Sequence, residues 1–147
     1  MIRGLDTTFL VEADVQGHPQ HTAARELMAA LLDAGDSFAL APQVLTEFIQ
    51  VVTDSRRFSE PLTMAAAIER AEAWWGAAEI APVFPSESTV PVFCGWLAEH
   101  GLGRRRLLDT MLAATYWSAG VRSIVTSNAG DFSLFDCFEI IRPGEWA

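Results

Sequence analysis

Ser123-Ile124-Val125-Thr126-Ser127-Asn128-Ala129-Gly130-Asp131-Phe132 joins a short strand to a polar loop and then to an acid beside an aromatic ring. The strand covers 123–126, and Asp131 follows its end by five residues. Working outward, a helix over 107–119 ends at Gly120 just before it, and a further strand covers 138–141. The same alternation runs back to the start. A strand at 1–6 ends on Asp6, and a helical turn over 7–13 has Thr7 or Thr8 to cap it. Residues 19–34 carry Ala24, Leu27, Met28, Leu31 and Leu32 at helical spacing and stop at Gly35. After a strand at 37–40, Pro42 opens a helix over 43–54. Another helix spans 63–77, a strand 79–83, and a helix 86–100 with Pro91 near its start. Strands alternating with helices predict a parallel sheet covered on both faces. In such a sheet ligands collect beyond the carboxyl ends of the strands.

Carboxylates stand at those places. Asp6 ends the first strand, Glu47 lies a turn or so into the helix after the second, Asp109 lies in the first turn of the 107–119 helix, and Asp131 follows the 123–126 strand. Each has an ordinary structural alternative: Asp6 as a helix cap, Glu47 and Asp109 beside a helix dipole, Asp131 in a turn with Gly130. Their surroundings argue for more. Asp6 precedes Phe9-Leu10-Val11, Glu47 sits between Leu45 and Phe48-Ile49, and Asp109 precedes Met111-Leu112-Ala113-Ala114. Acids set among apolar residues are costly unless a cation compensates. Oxygen ligands suit a hard divalent ion, Mg²⁺ or Mn²⁺, and such an ion can assist phosphoryl chemistry.

At these residues the chain resembles the PIN-domain nucleases, and among them the VapC-like toxins of bacterial toxin–antitoxin pairs. The resemblance is carried by Leu5-Asp6-Thr7-Thr8, by Glu47 in Val44-Leu45-Thr46-Glu47-Phe48, by Leu108-Asp109-Thr110-Met111-Leu112-Ala113-Ala114 and by Thr126-Ser127-Asn128-Ala129-Gly130-Asp131-Phe132. It implies a single PIN-like α/β domain over 1–147, with a parallel sheet of four or five strands flanked by helices. It implies a metal-dependent endoribonuclease in which Asp6, Glu47, Asp109 and Asp131 are catalytic. Asp6, Asp109 and Asp131 would hold Mg²⁺ or Mn²⁺, with Thr8, Thr126 and Asn128 in support. Thr8 departs from the commoner Asn or Ser but keeps the hydroxyl. A homodimer and a cognate antitoxin partner follow from the same resemblance.

The net charge of −9 speaks against a nucleic-acid binder until its source is considered. Part of it is the acidic constellation itself. All ten basic side chains are arginine, and Arg104-Arg105-Arg106 directly precede the Asp109 helix, where they can meet RNA phosphates or form a solvated loop. Half the residues are hydrophobic, which is too many for a disordered chain. No run approaches the roughly 20 apolar residues of a membrane span, and the first residues do not read as a signal peptide, so a cytoplasmic protein is expected. Cys94 and Cys137 are isolated and expected to be buried reduced thiols; His18 and His21 are expected at the surface. Helices 43–54 and 63–77, with the segment between them, carry Phe48, Ile49, Val52, Phe58, Leu62, Trp74 and Trp75, enough for core packing, a dimer contact or a groove for an amphipathic antitoxin helix. The rivals are a catalytically inactive PIN-like RNA- or protein-binding module, a phosphatase using Asp6 as nucleophile, and a phospho-receiver. The phosphatase wants a second acid where Thr8 stands, and the receiver wants a lysine the chain lacks.

Overall fold

Five parallel strands pair in the order β3-β2-β1-β4-β5 in the computed structural model, which describes residues 1–145. The domain expected over 1–147 includes Trp146 and Ala147, which lie outside the described residues. In chain order the elements are β1 (Ile2–Leu5), α1 (Thr7–Asp14), α2 (His21–Asp33), β2 (Ser37–Leu40), α3 (Pro42–Val52), α4 (Met64–Trp75) and β3 (Ile80–Pro82). Then come α5 (Thr89–Glu99), a 3₁₀ turn (Arg104–Arg106), α6 (Leu107–Ser118), β4 (Ser123–Val125), α7 (Gly130–Ser133) and β5 (Glu139–Ile141). β1 is central. Its register sets Gly4 opposite Ala39 on one side and Leu5 opposite Val125 on the other. The chain builds outward from β1 to β3, then returns to place β4 on the other flank. The strand order therefore reverses between β1 and β4, and a crevice opens at their carboxyl ends.

Local sequence explains most boundaries. Pro42 occupies the first turn of α3, where its missing N–H costs nothing, and Val44, Phe48 and Val52 fall on the buried face at i, i+4 and i+8. The Thr63 hydroxyl accepts the Ala66 N–H and starts α4. Gly120 ends the α6 segment with φ of 84°, a conformation that favours glycine. Gly4 serves differently: a Cβ there would stand 2.8 Å from the ring of Tyr116. That ring is fully buried, and its hydroxyl donates to the carbonyls of Leu5 and Ala39, tying β1 to β2.

Several expectations are corrected. Asp6, not Thr7 or Thr8, caps α1. Asp131 lies in the short helix α7, so its alternative reading as a turn residue beside Gly130 falls away. Leu32 turns away from the core with Met28 and Leu31 buried beside it. Cys94 is exposed, because α5 buries Thr89 alone, and Cys137 is half-buried; both thiols are free. His18 and His21 are half-buried, and the His21 ring contacts the Glu12 carbonyl. Among the described residues no helix is long and apolar enough to cross a membrane.

Candidate active site

Asp6 leaves β1 at the crevice and is 5% exposed. One carboxylate oxygen accepts the Phe9 N–H at 2.9 Å, which is the cap of α1. The other accepts the Thr126 hydroxyl at 2.5 Å, from the end of the neighbouring strand β4. Capping and site chemistry thus fall on one side chain. Burial pushes the Asp6 carboxyl up to about 7; its two hydrogen bonds pull the other way, and the charges of Glu12 and Asp109 push it further up.

Asp109 projects from the first turn of α6 and is pushed up to about 6. Burial is the main cause, followed by the Asp131 carboxylate; the Arg106 guanidinium opposes, and Glu47 adds to the rise. Asp109 is therefore the electrostatic centre of the group, since it feels Asp131 and Glu47 while Asp6 feels it. Glu47, on α3, accepts the Thr7 hydroxyl at 3.2 Å, so α1 and α3 meet at the crevice. Asp131 is gripped by Arg106, whose guanidinium reaches its carboxylate at 3.2 Å and its carbonyl oxygen at 2.7 Å. Thr8 accepts the Asn128 side-chain amide at 3.0 Å, and the Asn128 N–H donates to the Thr126 hydroxyl at 2.9 Å.

The four acids are coupled by charge, but they do not form a closed ligand cage. Among the described residues no three His, Cys, Asp or Glu side chains stand together closely enough to hold an ion. Mg²⁺ tolerates this, because it commonly keeps several waters and takes only one or two carboxylates. The donor chemistry fits such an ion: the facing groups are oxygens, and Asp6 and Asp109 carry negative charge that burial makes costly. Among the described residues two buried side-chain atoms lack a hydrogen-bond partner, Nε of Arg106 and the hydroxyl of Thr110, which follows Asp109 in sequence.

The arginine cluster divides. Arg104 and Arg105 are exposed, whereas Arg106 is half-buried against Asp131. Sequence reasoning missed Glu12, which is 1% exposed and accepts the Ser127 hydroxyl at 2.6 and 2.7 Å on its two oxygens. The signal was present: Glu12 lies in the apolar run Phe9-Leu10-Val11-Glu12-Ala13, the same context that singled out Asp109. Beside the crevice, α3 and α4 leave a groove of about 370 Å³ lined by Leu45, Ile49, Ile68, Ala71 and Trp75. Phe48, Val52 and Trp74 go into the core instead, while Phe58 and Leu62 pack partly buried against it.

No family model matches the chain. It is 29% identical over 144 residues to ribonuclease VapC24 of Mycobacterium tuberculosis, spanning 95% of this chain and 94% of that one. Its fold matches the crystal structure of M. tuberculosis VapC20, described as a sarcin–ricin loop cleaving toxin, with a TM-score of 0.71 at 20% identity, over 96% of this chain and 99% of that one. It also matches VapBC2 from Rickettsia felis, determined bound to a promoter DNA fragment, with a TM-score of 0.68 at 18% identity, over 97% and 98% of the two chains. The resemblance to VapC-like PIN-domain proteins that the four acidic motifs carry is borne out along nearly the whole chain.

Proposed function

We propose that this protein is a metal-dependent endoribonuclease and the toxin of a toxin–antitoxin pair. The observation that carries the reading is the pair of carboxylates at the sheet's switch point, Asp6 and Asp109, both pushed up towards neutrality and coupled to Glu47 and Asp131. The similarity to a ribonuclease along nearly the whole chain supports it. Asp6, Asp109 and Asp131 would offer the oxygen ligands, one or two of them directly with water completing the shell, and Glu47 would add negative charge beside them. When bound, Mg²⁺ or Mn²⁺ neutralises charge developing on the phosphodiester. The chain's own groups orient the reaction. Thr126 fixes the rotamer of Asp6, and Asn128 and Thr8 hold the rim. Arg106 keeps Asp131 in place and brings positive charge to the mouth. Arg104 and Arg105 lie free to meet the phosphates of the RNA on either side.

An inactive binding module is the weaker reading. It gives no reason to keep a buried Asp6 and a half-buried Asp109 only partly compensated, at a cost in stability. The antitoxin belongs to the proposal: the solved relatives include toxin–antitoxin complexes, and the α3–α4 groove offers an apolar seat for an amphipathic helix. A homodimer belongs to it too, with Leu107 and Leu108 40% and 68% exposed at the start of α6. The deciding experiment incubates purified protein with RNA in Mn²⁺, in Mg²⁺ and in EDTA, beside the Asp109→Asn variant. Cleavage in metal alone, lost in the folded variant, is the expected result. Metal-independent cleavage, or full activity of Asp109→Asn, refutes the assignment.

A further inference from the structure

Three consecutive residues of the β4–α7 loop each donate to a different residue at or on α1. Thr126 donates to Asp6, Ser127 to Glu12 and Asn128 to Thr8. The outer two contacts lie together at the start of α1. Glu12 lies six residues beyond Asp6, about 9 Å farther along a helix axis. Two contacts at one end leave a loop free to pivot, and a third at a distance removes that freedom. The contact is made by a buried carboxylate, a costly group where an apolar side chain would pack without penalty. Both Glu12 oxygens share the single Ser127 proton, and hydrogen bonds to an ionised acceptor are short and strong.

We propose that Glu12 is a positioning residue: through Ser127 it locks the Thr126–Asn128 loop onto α1, and so fixes where Thr126 holds Asp6 and where α7 presents Asp131. The loop runs directly into α7, and the Asp131 N–H donates to the Asn128 carbonyl at 3.0 Å, so a pivot of the loop pulls Asp131 against the Arg106 guanidinium that grips it from the other side. The role deepens the nuclease reading and rests on it for its activity arm.

The test compares Glu12→Ala, Ser127→Ala, the double alanine variant and Glu12→Gln with the wild type. Two quantities are read: kcat and KM for RNA cleavage in Mn²⁺, and hydrogen exchange of the Asn128 and Asp131 amides. Losing one charge-assisted contact predicts about a tenfold drop in kcat in each alanine variant, with KM nearly unchanged, and faster exchange at both amides. The double variant is expected to be no worse than the singles, because both remove the same contact. Glu12→Gln keeps a neutral oxygen for the Ser127 hydroxyl and is expected to recover part of the loss. Ser127 is half-buried, so its alanine variant tests the contact even where Glu12→Ala fails to fold. Wild-type exchange and kcat in folded Ser127→Ala overturn the proposal, as does a Glu12→Gln variant as impaired as Glu12→Ala. A wild type that cuts no RNA refutes the nuclease reading instead, and the exchange measurement still decides whether Glu12 holds the loop.

Discussion

Replacing Asp6 with Asn should stabilise the metal-free protein at alkaline pH while removing its activity. The folded carboxyl sits at about 7, against 3.8 unperturbed. A raised carboxyl makes the folded state the stronger proton binder, so stability falls as pH rises from about 4 through 7 and levels off above. At about 1.4 kcal/mol for each tenfold change in proton affinity, the cost of ionised Asp6 at pH 8 is roughly 4 kcal/mol. Asn removes the charge at nearly constant shape. It also gives something back, since the Phe9 N–H and the Thr126 hydroxyl both donate to Asp6 and the amide has one carbonyl oxygen to offer. That loss is worth about 1–3 kcal/mol. The net gain at pH 8 is then about 1–3 kcal/mol, a rise of roughly 3–10 °C in Tm for a domain of this size. Below the folded pKa the wild-type carboxyl is protonated, so the advantage should vanish by pH 5. Thermal unfolding in EDTA at pH 8 and pH 5 measures both arms. Adding Mn²⁺ should then raise the Tm of the wild type and leave the variant unmoved. A variant less stable than wild type at pH 8, or a difference that does not change with pH, refutes the claim that ionised Asp6 is held at a cost.

Replacing Arg104 and Arg105 together with Ala should lower the salt dependence of RNA binding by about 1.4 in log–log slope, the value for two lost contacts to a single strand; an unchanged slope returns them to a solvated loop. Arg106→Ala should act on the site instead, because Arg106 holds the Asp109 carboxyl down, and its loss should move the acid limb of the pH–rate profile to higher pH. Gly4→Ala should cost about 1–3 kcal/mol, seen as a lower urea midpoint at unchanged m, since its Cβ meets the immobile Tyr116 ring; wild-type stability would show that the ring gives way. Ile68→Asp, at a half-exposed rim of the α3–α4 groove, should abolish co-purification with the cognate antitoxin while changing stability by less than about 0.5 kcal/mol; an intact complex would place the antitoxin elsewhere.

The alternation of strands and helices was legible because its punctuation is local. Pro42, Gly35, Gly120 and the apolar spacing of α2 and α3 each act within a few residues, and the element borders fall close to where they point. The acids were legible because a charge in an apolar run violates a local rule. What the sequence concealed depends on partners far along the chain. Thr126 meets Asp6 across 120 residues and Ser127 meets Glu12 across 115. The apolar run around Glu12 marks it as out of place, but its partner Ser127 is met only once α1 is docked. Trp74 and Trp75 are neighbours in sequence, yet one enters the core and gives its N–H to Asp14 while the other lines a groove. Helical geometry separates them, and packing alone decides which goes in.

β1 shows why the chemistry gathers at one end of the sheet. The strand carries Arg3 near its start and Asp6 just past its end, and both are almost wholly buried. Arg3 is matched: Asp36 at 2.6 Å, Ser123 at 2.8 Å and Glu139 at 3.3 Å converge on it from three neighbouring segments. That pairing holds the Asp36 carboxyl below its usual range. Asp6 receives a hydroxyl and an amide, together with the repulsion of Glu12 and Asp109. The dipole of α1 favours it from close by, and the carboxyl still rises to about 7. Both ends bear the cost of removing a charge from water, and only the amino end recovers it inside the chain. The carboxyl end keeps an unmet demand for positive charge, and a divalent cation that meets it gains the stability the folded chain gave up to bury Asp6.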